Sequence, residues 1–405
     1  MPPPAATVEP QPGDLPLPRV NPLVAAVEAP PIPEAHGWAR RYDGRHGALL
    51  DLCQAVPGYA PHPELLARAS EAAADPAHAR YGLINGDLAL REAYAAELSV
   101  TYGGLVGPDQ VAITAGCNQA FFLALTTLAE RGDNVLLPLP WFWNHQQSCT
   151  MLGIEPRPLP CRAEAAFVPA VEDAARLIDA RTRAIVLITP NNPTGAVYPA
   201  ETIAAFHRLC AAHGIPLILD ETYRDFLPAG QERSHALFEA DDWPEHLIQL
   251  YSFSKAYCIP GHRMGAIAAD TGLIQAFMKV LDCLHICPQR GGQAVLGWAI
   301  PALGAWRAAN RAVINGRADA VRDGFQRLSG WRVESLGAYF AYVRHPFTGV
   351  SAARVAERLA VEAGAVGLPG SAFGPGQEEH VRMAFANVDT DGIGELVRRL
   401  ALMTA

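Results

Sequence analysis

Ser252-Phe-Ser-Lys255-Ala-Tyr-Cys-Ile-Pro-Gly-His-Arg263-Met-Gly265 follows an apolar run at residues 247–251 and sets one lysine, two serines and one arginine around a Pro-Gly turn. A lysine amine can form a Schiff base with a carbonyl, while serine hydroxyls and a guanidinium fork suit a phosphate. A loop lysine taken alone is most often just solvated. Three further apolar runs end in loops that change its meaning. Residues 110–114 lead through Ala-Gly116-Cys117-Asn118 into a helical pattern, and a glycine turn at a helix N-terminus offers free N–H groups to an anion. Residues 184–189 lead into Pro190-Asn-Asn192-Pro-Thr-Gly195, where two prolines hold Asn192 on a rigid turn. Residues 216–220 lead into Asp220-Glu-Thr-Tyr223, and an acid ending an apolar run needs a facing cation or donor. Ligands of open α/β sheets bind at the carboxyl ends of strands. Together the four loops supply an amine, a carboxylate, an amide, a phenol and several phosphate donors.

Outward from these loops, apolar runs (a fifth lies at residues 134–138) alternate with helical patterns such as 118–130 and 199–213. Buried strands separated by helices predict an α/β fold, a mostly parallel sheet with helices on both faces. A long helical pattern over 306–328 then leads into short strands at 331–334, 339–343 and 381–386 with a helix near 352–363. This is the texture of a smaller α+β domain. We expect a large domain over 64–310 and a small one built from 34–63 and 311–405. Residues 1–33 carry eleven prolines and predict an extended or disordered arm.

The 405 residues include 41 acidic and 32 basic side chains, a formal net charge of -9. That balance gives no electrostatic reason to expect nucleic acid or an anionic membrane surface as a partner. The eight cysteines contain no C-x-x-C pair and read as reduced thiols. Cys283 and Cys287 stand at helical i, i+4 spacing with His285 off their face, so no metal site is expected there or elsewhere. The uncharged run 111–129 contains Thr114, Gly116, Asn118 and Gln119, which do not suit lipid. With no basic, apolar leader at the start, the expected location is cytoplasmic.

The combined motifs resemble fold-type I, pyridoxal-5′-phosphate-dependent aminotransferases of class I/II, the aspartate aminotransferase superfamily. The resemblance runs from Asp51 to Arg398 and rests on Asp51-Leu-Cys-Gln-Ala-Val-Pro57, Tyr81-Gly with Leu90-Arg91, Asn192-Pro-Thr-Gly195, Asp220-x-x-Tyr223, Ser252-x-Ser-Lys255 and Arg263. It implies a large cofactor-binding domain with a smaller α+β domain. It implies Lys255 as the Schiff-base lysine that also shuttles the substrate proton, and Asp220 as the partner of the pyridine nitrogen. Asn192 and Tyr223 would bond the cofactor's phenolic oxygen. Ser252, Ser254, Arg263 and the backbone at Gly116, Cys117 and Asn118 would hold the phosphate. Phe142 would stack on the ring, with Trp141 or Trp143 as alternatives.

The resemblance further implies that Arg382, with Asn192 and the backbone of Ala55, binds the substrate carboxylate. Tyr81 would reach the neighbouring subunit's cofactor in a homodimer with shared active sites. Ala55 departs from the family's usual glycine, and Cys117 and Asn118 replace commoner residues. No second substrate arginine is assignable, so a dicarboxylate substrate is unsupported. The implied reaction is amino transfer between an L-amino acid and a 2-oxo acid by ping-pong half-reactions. The fold hosts other chemistry at the amino-acid Cα (β-lyases, decarboxylases, synthases, oxidases) and aminotransferase-like sensor modules. A sensor would need a DNA-binding domain in front, where this chain has only its proline-rich arm. Trp141, Trp143 and Tyr339 either line an aromatic mouth for a large or apolar substrate or pack the core or a dimer interface.

Overall fold

The computed structural model describes residues 19–403. Among them, β1 (Leu50–Asp51) belongs to a short parallel pair, and seven strands form the large sheet. These are β2 (Val111–Thr114), β3 (Asn134–Leu139), β4 (Glu155–Pro160), β5 (Thr182–Ile188), β6 (Leu217–Asp220), β7 (Leu247–Ser252) and β8 (Gly265–Ala268), in the order β2-β8-β7-β6-β5-β3-β4. β8 is antiparallel to both neighbours and every other pairing is parallel. Alternate residues feed two cores, which is why the central strands read as continuous apolar runs. Val135, Val186, Ile218, Ile248 and Ile267 pack with the helices Cys117–Leu128 and Thr271–His285. Leu136, Leu187, Leu219, Tyr251 and Ala268 pack with Leu88–Tyr102, Ala200–His213 and Arg290–Ala302 on the opposite face.

The remaining strands are β9 (Arg332–Gly337), β10 (Phe340–Arg344), β11 (Ala365–Val366), β12 (Leu368–Pro369) and β13 (His380–Ala384). β11 pairs with β1, and the other four form an antiparallel sheet in the order β12-β13-β10-β9. The helices Gly304–Phe325, Ala352–Glu362 and Thr390–Ala401 cover it through Ile314, Val321, Leu359, Ile393 and Leu400. Leu50, Leu52, Tyr223 and Phe226 share that same core. A segment preceding the large sheet and the loop after β6 are thereby tied to the smaller sheet.

Three expectations need correcting. The described part of the proline-rich arm is not simply extended. Asn21 caps a turn at Pro22–Ala25, and Pro31 opens a helix at Pro31–Ala39. Proline at the first helical position costs nothing, because the N–H it lacks would be unpaired there anyway. Residues 1–18 of the arm lie outside the described residues. Second, Cys283 and Cys287 share no helical face. Their helix ends at His285, Ile286 turns at φ 64°, and Cys287 Sγ accepts the Gly82 N–H at 3.3 Å. Third, Glu155–Pro160 is an edge strand that the sequence reading missed, because Pro156, Pro158 and Pro160 argue against a strand. Their alternation rescues it. The N–H groups of Glu155 and Cys161, either side, donate to Asp133 and Leu139, so the even positions that lack a donor face outward. No described helix is long and apolar enough to cross a membrane.

Register now places the loops. Ile188, Asp220 and Leu250 stand opposite one another on β5, β6 and β7, so three strand ends open side by side. Antiparallel β8 sets Gly265 opposite both Thr114 and Ser252, which draws the Gly116 turn onto the same edge. A Cβ at Gly265 would stand 2.7 Å from the Gly116 carbonyl carbon and 2.9 Å from the Cys117 nitrogen. Backbone cannot yield cheaply there, so Gly265→Ala is expected to cost about 1–3 kcal/mol of stability. A thermal melt showing an unchanged midpoint would contradict this close approach.

Candidate active site

The three strand ends, the Gly116 turn and β13 enclose a cavity of about 630 Å³. Lys255 enters it from the short helix Phe253–Ala256, whose N-terminus is capped by the Ser252 hydroxyl accepting the Ser254 N–H. Its Nζ donates to the carbonyl of Ala55 at 2.5 Å and lies 5.9 Å from the centre of the Tyr223 ring. Burial lowers the ammonium to about 8, and repulsion from Arg382 and Arg263 acts in the same sense. The chain holds only one other lysine, the exposed Lys279.

Asp220 ends β6 inside the cavity. Burial alone would raise its carboxyl, but His145 and the Thr222 donors outweigh it and hold the group below its ordinary value. Oδ1 accepts the Thr222 N–H at 2.9 Å, and Oδ2 lies 3.4 Å from His145 Nε2. His145 is stacked on Phe121 at 3.8 Å, with Phe142 edge-on at 5.3 Å. Only the fold sets this histidine against Asp220. Tyr223 lines the cavity and packs on Tyr339 and Phe340.

Arg382 sits on β13, between β12 and β10, so it is interior and not a solvent-facing edge residue. Its Nη1 donates to Asn192 Oδ1 at 3.1 Å and its Nη2 to the carbonyl of Cys53. The guanidinium lies over Phe340, Phe373 and Trp143 at 4.9, 5.2 and 5.5 Å from the ring centres. No carboxylate among the described residues pairs with it, its Nε is buried without a partner, and burial lowers it to about 10. A buried cation without a counter-ion, held by neutral acceptors, is a receptor for a carboxylate.

At the other end of the cavity, Gly116 (φ 91°) precedes Cys117–Leu128 without any side-chain cap, so the Cys117 and Asn118 N–H groups have no intrahelical partner. Arg263 donates to the carbonyls of Pro260 and Ala115 at 3.0 and 3.3 Å, which lays its fork across this turn. A Cβ at Gly116 would collide with that fork. Ser254 Oγ is buried without a partner. Free amides, an orphaned hydroxyl and a guanidinium converging beside a buried amine fit the phosphate and aldehyde of pyridoxal 5′-phosphate.

The fold therefore gathers Lys255, Asp220, Tyr223, Asn192, Cys117, Asn118, Ser252, Ser254, Arg263, Phe142, Ala55 and Arg382 around one cavity, with Gly116 at its rim. It does not gather Tyr81, which is 77% exposed and outside it. Nor does the aromatic mouth hold together. Trp143 lines the cavity, Trp141 turns toward Gly374, and Tyr339 is buried beneath Tyr223. Ile32, from the proline-rich arm, lines the cavity instead; flanked by Pro31 and Pro33, it gave no local signal.

These features agree with similarity to known proteins. The family model "Aminotransferase class I and II" matches residues 48–400. Aromatic-amino-acid aminotransferase 2 of Thermococcus litoralis is 28% identical over 350 residues, covering 84% of this chain and 90% of the relative. Arginine–pyruvate transaminase of Pseudomonas aeruginosa is 31% identical over 333 residues, covering 80% of this chain and 82% of the relative. Aspartate aminotransferase from Thermus thermophilus with maleate superposes at a TM-score of 0.87 with 27% identity, covering 95% of this chain and 99% of that one. With the cavity, the sheet order and these matches in agreement, the chain belongs to the class I and II aminotransferases and is an enzyme that transfers amino groups.

Proposed function

We propose that this cavity binds pyridoxal 5′-phosphate and moves an amino group between an L-amino acid and a 2-oxo acid in two ping-pong half-reactions. The observation that carries this reading is the buried amine of Lys255 opening into one cavity with an acid at a strand end and an unpaired cation on the smaller sheet. When bound, the cofactor supplies an aldehyde for the amine and an electron-poor ring to draw electrons from Cα. Lys255, lowered by burial, offers a neutral amine near pH 8 and takes the proton from the substrate Cα. Asp220, kept ionised by His145 and Thr222, holds a proton on the pyridine nitrogen. Asn192 and Tyr223 donate to the ring oxygen, and Phe142 covers the ring.

The Gly116 turn, with the Cys117 and Asn118 amides, Ser252, Ser254 and Arg263, anchors the phosphate. Arg382, oriented by Asn192 and the Cys53 carbonyl, orients the substrate carboxylate, with the backbone of Ala55 beside it. In this reading residues 64–310 form the cofactor domain, and 34–63 with 311–405 form the domain that brings Arg382. Tyr81, exposed on a single chain, reaches the site of a second copy in a cytoplasmic homodimer.

Three measurements test this. The purified protein should show a visible cofactor band that bleaches with one amino acid and returns with a 2-oxo acid. A band that persists, with ammonia or peroxide released, would mean a different reaction at Cα. Second, Arg382→Gln should raise KM for the amino acid roughly a hundredfold, about 2–3 kcal/mol for a charge-assisted pair, while leaving the melting temperature equal or higher. Stability should not fall, because the native Arg382 charge is buried without a counter-charge. A stable variant with unchanged KM would remove Arg382 from the site.

Third, the cofactor-free protein should trap the aldehyde reductively at Lys255 and not at Lys279. The charged form is disfavoured by burial, so the rate should climb with pH to about 8 and then level. A rate still climbing toward the ordinary lysine range would show that Lys255 is solvated.

A further inference from the structure

We propose that His36, Asp51 and Cys53 form a second site, for a borderline-soft divalent cation of the zinc type. His36 lies on the helix Pro31–Ala39, Asp51 ends β1, and Cys53 follows two residues later. His36 Nε2 is 3.2 Å from Asp51 Oδ2 and 3.3 Å from Cys53 Sγ, and the three atoms lie within 4.8 Å of one another.

Both contacts fall on the same ring nitrogen. A catalytic relay would use the two nitrogens of the imidazole, one toward the thiol and one toward the acid. That nitrogen can donate its proton to Asp51 while the Cys53 thiol also turns to the same carboxylate, so the three side chains already converge on one point. A cation between them satisfies all three donors at once. Metal–ligand lengths of about 2.0–2.3 Å at tetrahedral angles put ligand atoms roughly 3.3–3.6 Å apart. The two distances here nearly match that before any ion has drawn the ligands in. One imidazole nitrogen, one carboxylate oxygen and one thiolate are a donor set that favours zinc over magnesium or calcium.

The surroundings suit such a site. The Cys53 N–H donates to Asp51 Oδ1 at 3.0 Å, which fixes the carboxylate and leaves Oδ2 toward His36. The His36 and Asp51 side chains are 39% and 44% exposed, giving an ion a path in and a water the fourth position. Cys53 is fully buried, so its sulfur is held in place. None of the three lines the cavity around Lys255. The site stands behind it, since the Cys53 carbonyl is the acceptor for Arg382 Nη2. Binding converts the Cys53 thiol to a metal thiolate and releases its proton to solvent, so affinity falls as pH falls.

The test uses the full-length holoprotein, stripped with a chelator and then titrated with cobalt(II) and with zinc(II). One equivalent of cobalt per chain is expected, with a thiolate-to-cobalt band in the difference spectrum that zinc displaces. Cys53→Ser should abolish the band and weaken binding at least a hundredfold. His36→Gln, on a half-exposed helix, should do the same and serves if the cysteine variant does not fold. Cys283→Ser, removing an exposed thiol, should change neither. No retained cobalt, or a band indifferent to both His36→Gln and Cys53→Ser, would overturn the assignment.

Discussion

Parallel pairing of β5, β6 and β7 is the constraint on which the rest hangs. Parallel strands need crossover helices, and those helices bury both faces of the sheet. A polar side chain inside a strand must then find a buried partner, as Gln249 does in Tyr94 and Glu221, whereas a strand end leaves it free to face a ligand. Register puts Ile188, Asp220 and Leu250 in one row, so the chain leaves the sheet at one edge three times in succession. Asn192, Asp220 and Lys255 meet there because register brings the ends of β5, β6 and β7 side by side. The antiparallel insertion of β8 adds the Gly116 turn and Arg263 to the same edge.

Behind that edge the polypeptide alternates its acids. Asp220 faces the cavity, while the adjacent Glu221 points away into a buried network. Its Oε1 accepts from Tyr102 at 2.7 Å and Ser234 at 2.6 Å, and its Oε2 from Gln249 at 3.2 Å. Burial would raise Glu221, but His235, Arg224 and Ser234 hold it at about 2. A fully paired charge of this kind pins the loop from behind, while His145 and the Thr222 N–H hold Asp220 from the cavity side. Arg382 is the opposite case, a buried charge left without an acid. One side of the cavity is fixed by satisfied polar groups, and the other waits on a ligand; stability is given up where binding needs it.

Much of this was legible in the sequence, and the reasons are specific. Residues 110–114, 184–189, 216–220 and 247–251 read as buried strands because two covered faces demand unbroken apolar runs. Their loops read as a site because amine, carboxylate, amide and phosphate donors do not cluster at strand ends by accident. What stayed hidden had weak or contrary local signals. The strand at Glu155–Pro160 carries three prolines that only an outward-facing edge explains. The helix at Pro31–Ala39 begins in a proline-rich stretch, and Ile32 reaches the cavity from it. His145 lies on the helix Trp143–Leu152, and nothing local to it shows that Asp220 stands 3.4 Å away.

The sequence by itself determined the fold class, the four loops and the chemical identity of the groups they carry, because apolar periodicity and turn chemistry are local properties. Only the tertiary structure decided which groups meet. The 8-residue step from Lys255 to Arg263 is visible in one dimension, but the contact of Asn192 with Arg382 spans 190 residues. The same holds for His36 against Asp51 and Cys53. Such contacts are set by sheet register, by the packing of β13 against the cavity and by the seat of the helix Pro31–Ala39 against β11 and β12, and no local rule of composition or spacing encodes a distance across the fold.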